Sequence, residues 1–127
     1  KNGTFIEAGA FDGEKLSNTL ILERELGWTG LLIEPNPINY KNIPHKHRRA
    51  HYAQCCLSLT TRASNMSISL HGLTSRVTSR VNRDQKKRTT KFKRVKVNCY
   101  PLFSLMVAAN LTTLDLLSLD LESVEVK

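Results

Sequence analysis

The stretch that most constrains this chain is residues 3–13, GTFIEAGAFDG. Thr4, Phe5 and Ile6 make a short apolar run rich in β-formers, the pattern of a strand buried on both faces of a parallel sheet. The run ends in an acid, Glu7, and two glycines follow, Gly9 and Gly13, before the pattern turns helical. A strand that enters a glycine turn and then a helix is a cradle for a nucleotide-like ligand. Glycine lets the backbone approach closely, and the helix N-terminus offers unpaired N–H groups. The spacing here is E-x-G-x-x-x-G, not the dinucleotide G-x-G-x-x-G. An acid before the turn suits a ligand that carries positive charge near it. The competing reading is an ordinary strand-to-helix turn.

Residues 14–26 continue as a helix, with Leu16, Leu20, Ile21, Leu22 and Leu26 on the apolar side and Glu23 and Glu25 outward. Ser17 and Asn18 either cap its start or reach the ligand, and Gly27 stops it. Leu31-Leu32-Ile33 is a second apolar strand, ending in Glu34-Pro35-Asn36-Pro37. An acid at the carboxyl end of the second strand, about 20 residues or more past the glycine turn, is where a doubly wound fold holds ribose hydroxyls. A carboxylate accepts two hydrogen bonds from a vicinal diol. The pair of acids therefore points to a cofactor with a ribose and a cationic group, such as S-adenosylmethionine. Residues 39–49 read as a polar helix or turn broken near Pro44, and residues 51–59 as a third strand closing on Ser58. Met66 to Leu70 and Arg94 to Cys99 alternate as strands do. Residues 101–111 form a helix with Leu102, Leu105, Met106 and Ala109 on one side, and residues 113–121 a fourth strand. The expected fold class is α/β, a Rossmann-like parallel sheet of which the N-terminal portion is present in these 127 residues.

The net charge of +8 is local. Residues 76–96 hold ten Lys or Arg and one Asp, so the remainder of the chain is close to neutral. That argues against a nucleic-acid-binding surface spread over the domain, and Phe92 is the one aromatic in the segment that could stack on a base. Residues 72–90 have too few large apolar residues to order themselves, and 72–96 read as a basic flexible insertion. Its alternatives are a solvated loop or a patch for an anionic partner such as lipid headgroups, sulfated glycans or RNA. Cys55, Cys56 and Cys99 lack zinc spacing. They read as buried strand cysteines, with a Cys56–Cys99 disulfide open to the chain in an oxidising lumen. His45, His47 and His51 read as solvated surface. Asn2, Asn65 and Asn110 each open an Asn-x-Ser/Thr sequon, a number that chance alone supplies in a chain this rich in these residues.

Four ordered motifs, GTFIEAGAFDG, LGWTGLLIEPNP, CCLS and LLSLDLESVE, together resemble the FkbM-type methyltransferase domain. Within that family, EAGAFDGEKLSNTLILERELGWTGLLIEPNP is most similar to the animal Star-type branch, membrane-anchored secretory-pathway proteins that act in trafficking of EGF receptor ligands. The resemblance implies S-adenosylmethionine as cofactor, with Glu7, Gly9, Asp12 and Gly13 in the first cofactor motif and Glu34, Pro35 and Asn36 in the second. It puts Ser58 at the adenine pocket, and Asp120 and Glu122, followed by Glu125, in the acidic motif that would meet a methyl acceptor. It further implies a protein cargo as partner, and a membrane anchor upstream of a chain that opens on Lys1 like a fragment. Ser123 stands where the family carries glycine, which strains the turn if that position requires positive φ. The functions expected are a binding module in secretory trafficking or an O-methyltransferase in which Asp120 or Glu122 orients or deprotonates an acceptor hydroxyl.

Overall fold

The computed structural model describes residues 2–70 and 94–120. Among the described residues four parallel strands form the main sheet: β1 (Thr4–Ala8), β2 (Thr29–Ile33), β3 (His51–Ala53) and β7 (Leu116–Leu119). Their order is β3-β2-β1-β7. β1 lies in the middle, with Phe5 opposite Gly30 on one side and Leu116 on the other. Because both faces of a parallel sheet are covered, the central strands need apolar residues at every position. Ile6, Ala8, Leu31 and Ile33 face one layer, where α3 (Leu102–Ala108) packs through Leu105, Leu102 and Met106, with Ala109 just beyond it. Phe5 and Leu32 face the other layer, with Ile43, Ala50 and Trp28.

A second sheet has the order β4-β6-β5. β4 (Cys56–Ser58) runs parallel to β6 (Arg94–Pro101), and β5 (Ser64–Ser69) runs antiparallel to it. Alternation along β5 and β6 sends Met66, Ile68, Val95 and Val97 into a small third core with Cys56 and Cys99. Asn65, Ser67, Lys96 and Asn98 lie on the exposed face. Cys56 and Cys99 are register partners and are joined by a disulfide. Among the described residues no helix is long and apolar enough to cross a membrane.

Several sequence expectations need correction. The single third strand over 51–59 is two strands, since the chain leaves the main sheet at Gln54–Cys55 and β4 joins the second. Cys55 marks the step: it packs in the α3-side core while its neighbour Cys56 turns to the third core. The helix expected over 14–26 is only α1 (Leu20–Leu26). Phe11 and Leu16 have left-handed φ of 56° and 59°, and the N–H groups of Glu14, Lys15 and Asn18 are drawn to side-chain carboxylates, so residues 10–19 stay a chain of turns. Leu16 and Ile21 are consequently exposed, 80% and 65%, while Glu23, expected outward, is buried. The polar segment 39–49 contains α2 (Pro37–Tyr40) and one 3-10 turn, Ile43–Lys46, and the fourth strand is the shorter β7. The histidines at 45, 47 and 51 are exposed as expected.

The reading of 72–90 as a basic loop lies outside the described residues, but residues 94–96 of the basic run belong to β6. Ser69 and Arg94 are register partners, so the two ends of the intervening chain meet on one rung of the β5–β6 ladder. Replacing residues 72–90 by a short Gly/Asn linker is expected to leave the melting temperature within a few degrees, since surface-loop length has only a logarithmic entropic cost. Thermal denaturation followed by circular dichroism checks this. A large loss would show that the segment packs on the domain.

Candidate functional site

The carboxyl ends of β1, β2 and β7 lie together at one edge of the main sheet. After β1 the chain turns sharply over the end of β2: the N–H groups of Gly9 and Ala10 both donate to the Ile33 carbonyl, at 2.8 and 3.0 Å. Gly9 has φ +88°, and a Cβ there would run into the backbone carbonyl of Asp120. Only glycine meets both demands. The Asp120 N–H in turn donates to the Ala8 carbonyl at 2.9 Å, locking the end of β7 against the turn.

Glu34 sits at the end of β2, 6% exposed. Its Oε1 accepts from the Phe11 N–H and its Oε2 from the Asn36 N–H, both at 2.8 Å. The first bond holds Phe11 in its left-handed conformation, which costs a non-glycine residue about 1–2 kcal/mol. Asn36 also accepts from the Ile38 N–H through Oδ1, capping α2 with Pro37 at its first position. Glu34, Pro35 and Asn36 thus form one rigid corner facing the glycine turn.

Glu7 has a different environment. It is 2% exposed, and its carboxylate organises the turn before α1. Oε1 accepts from the Asn18 N–H at 2.7 Å, and Oε2 from the hydroxyls of Ser17 and Thr19 at 2.9 and 2.7 Å. Ser17 Oγ also accepts from the Leu20 N–H at 3.2 Å, although the N-cap of α1 is Thr19, whose side chain makes no cap bond. Asn18 Nδ2 donates to Ser118 Oγ at 2.9 Å, tying the same turn to β7.

The residue that sequence reasoning missed is Arg48, with its partner Glu23. Their side chains are 1% and 5% exposed, and Nε lies 3.1 Å from Oε2. Arg48 Nη1 donates to the Gly13 carbonyl at 2.6 Å and to Ser17 Oγ at 3.2 Å, while Nη2 donates to Thr19 Oγ1 at 3.0 Å. The guanidinium also lies 5.8 Å from the centre of the Phe5 ring. Glu23 completes its shell with the N–H groups of Arg49 and Ala50. Thr19 and Glu23, at i and i+4, share one helical face, but such a face is ordinarily solvated and nothing in the sequence links it to Arg48, 25 residues beyond Glu23.

Asp12 stands at the outer end of the loop. Its Oδ1 accepts from the N–H groups of Glu14 and Lys15, and Lys46 Nζ is 3.7 Å from Oδ2. Burial pushes this carboxyl up, but those N–H groups and the Lys46 charge outweigh it and leave it below its ordinary value. Gly13 packs over Ile43. Ser58 lies at the end of β4 in the second sheet, with its hydroxyl engaged by Thr60 and the Arg62 carbonyl. Asp120 is exposed at the end of β7, while Glu122, Ser123 and Glu125 lie outside the described residues. Burial raises the Cys55 thiol to about 11, which marks it as a core residue rather than a nucleophile.

This donor set selects among ligands. The N–H groups at 9, 10, 11, 13, 14, 15, 17 and 18 all have acceptors within the chain, and four of them are held by carboxylates. The expectation of unpaired N–H groups at the glycine turn is therefore corrected. A pyrophosphate would find few donors here, whereas a cofactor with ribose hydroxyls and a cationic centre suits an acid-bordered turn. The chain belongs to the methyltransferase FkbM domain family, whose model matches residues 7–127. Comparison with curated proteins and comparison with solved structures each gave no match.

Two outcomes test the geometry. Arg48→Ala is expected to destabilise the fold by about 3–5 kcal/mol, because Glu23 is left as an uncompensated buried charge. Urea denaturation measures it, and a loss under about 1 kcal/mol would show the pair to be peripheral. For Asp12 the folded carboxyl is the more acidic. Its stabilising contribution is present above the unfolded value of about 3.9 and is lost as pH falls through the lower folded one. Asp12→Asn should therefore flatten the acid limb of a stability-against-pH curve below about pH 4.

Proposed function

We propose that this chain is an S-adenosylmethionine-binding, methyltransferase-like domain with a Rossmann-like sheet, carried by a Star-like protein of the secretory pathway. The observation that carries the cofactor reading is the Glu34 corner: a buried carboxylate fixed by two N–H groups at the end of β2, facing a glycine turn folded over that strand. The strand order β3-β2-β1-β7, all parallel, supports the Rossmann-like arrangement. Glu34 would hold the ribose hydroxyls, with Gly9 letting the cofactor approach the backbone. Asp12, Gly13, Pro35 and Asn36 border the same turn, and Glu7 acts through the 17–19 turn it holds. Ser58 contributes to the adenine end in this reading. When bound, S-adenosylmethionine supplies an electrophilic methyl group, and the chain's own part is to orient and desolvate what it meets.

Two functions follow from such a site. In the trafficking reading, the domain serves as a binding module for a protein cargo among EGF receptor ligands, moving between endoplasmic reticulum, Golgi and endosome. The Cys56–Cys99 disulfide supports a luminal location, because such bonds persist in oxidising compartments. In the O-methyltransferase reading, Asp120 and Glu122 orient or deprotonate a hydroxyl of a small molecule or glycan. The exposed Asp120, bonded through its N–H to the end of β1 beside Gly9, supports that reading. The anionic partner of the basic segment belongs to either.

Glu34→Ala is expected to weaken S-adenosylmethionine or its demethylated product by about 1.5–3 kcal/mol, roughly 10- to 150-fold, for lost charge-assisted hydrogen bonds. Isothermal titration calorimetry on the full-length protein measures it. No binding by the intact protein, or equal binding by the variant, overturns the cofactor reading.

A further inference from the structure

We propose that Asn110 is an N-glycan acceptor. Three sequons occur in the chain, at Asn2, Asn65 and Asn110, and the structure separates them. Asn2 lies two residues before β1 begins, and the hydroxyl of its sequon residue, Thr4, is bonded to the segment that leads into β7. Thr4 Oγ1 donates to the Thr113 carbonyl at 2.6 Å, and the Thr4 N–H is bonded to Asp115. Asn65 is exposed, but it lies within the β5–β6 ladder opposite Asn98, where pairing fixes its backbone. Asn110-Leu111-Thr112 lies in neither helix nor strand, between the end of α3 and the start of β7. Asn110 and Thr112 are both exposed, and Asn110 has φ 57°, a left-handed conformation that ends the helix and turns the chain back so that Leu111 packs on the core. An exposed asparagine in a surface turn is the setting in which this modification is tolerated by a finished fold.

The second, independent observation is the disulfide. Cys56 and Cys99 are bonded across adjacent strands, which supports folding in an oxidising compartment, the kind in which asparagine-linked glycans are added. In the transfer, the side-chain amide nitrogen of Asn110 attacks C1 of a lipid-pyrophosphate-linked oligosaccharide. A carbon–nitrogen bond forms, the bond from C1 to the pyrophosphate oxygen breaks, the amide gives up one proton, and the lipid pyrophosphate leaves. A luminal transferase carries out the step. No group of the Glu34 site takes part, so the inference rests on the luminal location proposed above and not on cofactor binding.

The test uses the full-length protein expressed in animal cells, digested with peptide:N-glycosidase F and resolved by electrophoresis, with alkylation to report the state of Cys56 and Cys99. The expected result is a glycosidase-sensitive form that loses one step of mass in both Asn110→Gln and Thr112→Val. Asn65→Gln and Asn2→Gln should leave that step in place. Thr112→Val keeps Asn110 itself, so loss of the step in that variant reports recognition of the sequon even if Asn110→Gln folds poorly. A disulfide-bonded protein whose mobility is unchanged by the enzyme, or is unaffected by either variant, overturns the acceptor while leaving the location standing. Reduced Cys56 and Cys99 together with a mobility unchanged by the enzyme overturn both.

Discussion

One buried cation holds the loop side of this domain together. Arg48 reaches the Gly13 carbonyl, the hydroxyls of Ser17 and Thr19, and the carboxylate of Glu23. Those two hydroxyls donate to Glu7, so the guanidinium and the Glu7 carboxylate grip the same turn from opposite sides. A buried ion pair is weak evidence for net stability, since an apolar replacement of the same shape often does as well. What the pair supplies here is direction. Five donor groups on a rigid plane fix the relative positions of a helix, a turn and a strand end in a way that apolar contacts do not.

The two acids of the first motifs consequently do different work. Glu7 holds the turn before α1, and Glu34 holds the corner between the glycine turn and α2. Both are carboxylates at the ends of neighbouring parallel strands, in register one residue apart from Ala8–Ile33. They differ in what packs against them. Glu7 shares the face of Phe5, where the 17–19 turn and Arg48 lie over it. Glu34 lies beyond the last rung, where the Phe11 N–H of the glycine turn and the N–H of Asn36, the N-cap of α2, donate to it.

The two central strands of the main sheet were legible because burial on both faces leaves an unbroken apolar run, as in Leu31-Leu32-Ile33. The corner at Glu34-Pro35-Asn36 was legible as well, since proline and a capping asparagine act locally. The start of α1 was not. Leu16 is helical by spacing, yet the turn is shaped by carboxylates from elsewhere in the chain, and periodicity carries no trace of a long-range hydrogen bond. Glu23 failed for the same reason, its partner lying 25 residues away. The division of residues 51–59 between two sheets rests on which distant strand each half pairs with, and Cys99 supplies that information only once β6 is in place.

The internally bonded loop between β1 and α1 has a thermodynamic consequence. Fixing one residue's backbone costs roughly 1–2 kcal/mol of conformational entropy. In a loop whose N–H groups find acceptors only in the ligand, that ordering is charged against affinity. Here the turn is ordered by Glu7, Asp12, Glu34 and Arg48 as the domain folds, so the ligand proposed for this edge would meet a preorganised wall. Its free and bound forms would then share one loop conformation, and discrimination would fall on fit to a rigid edge rather than on induced closure.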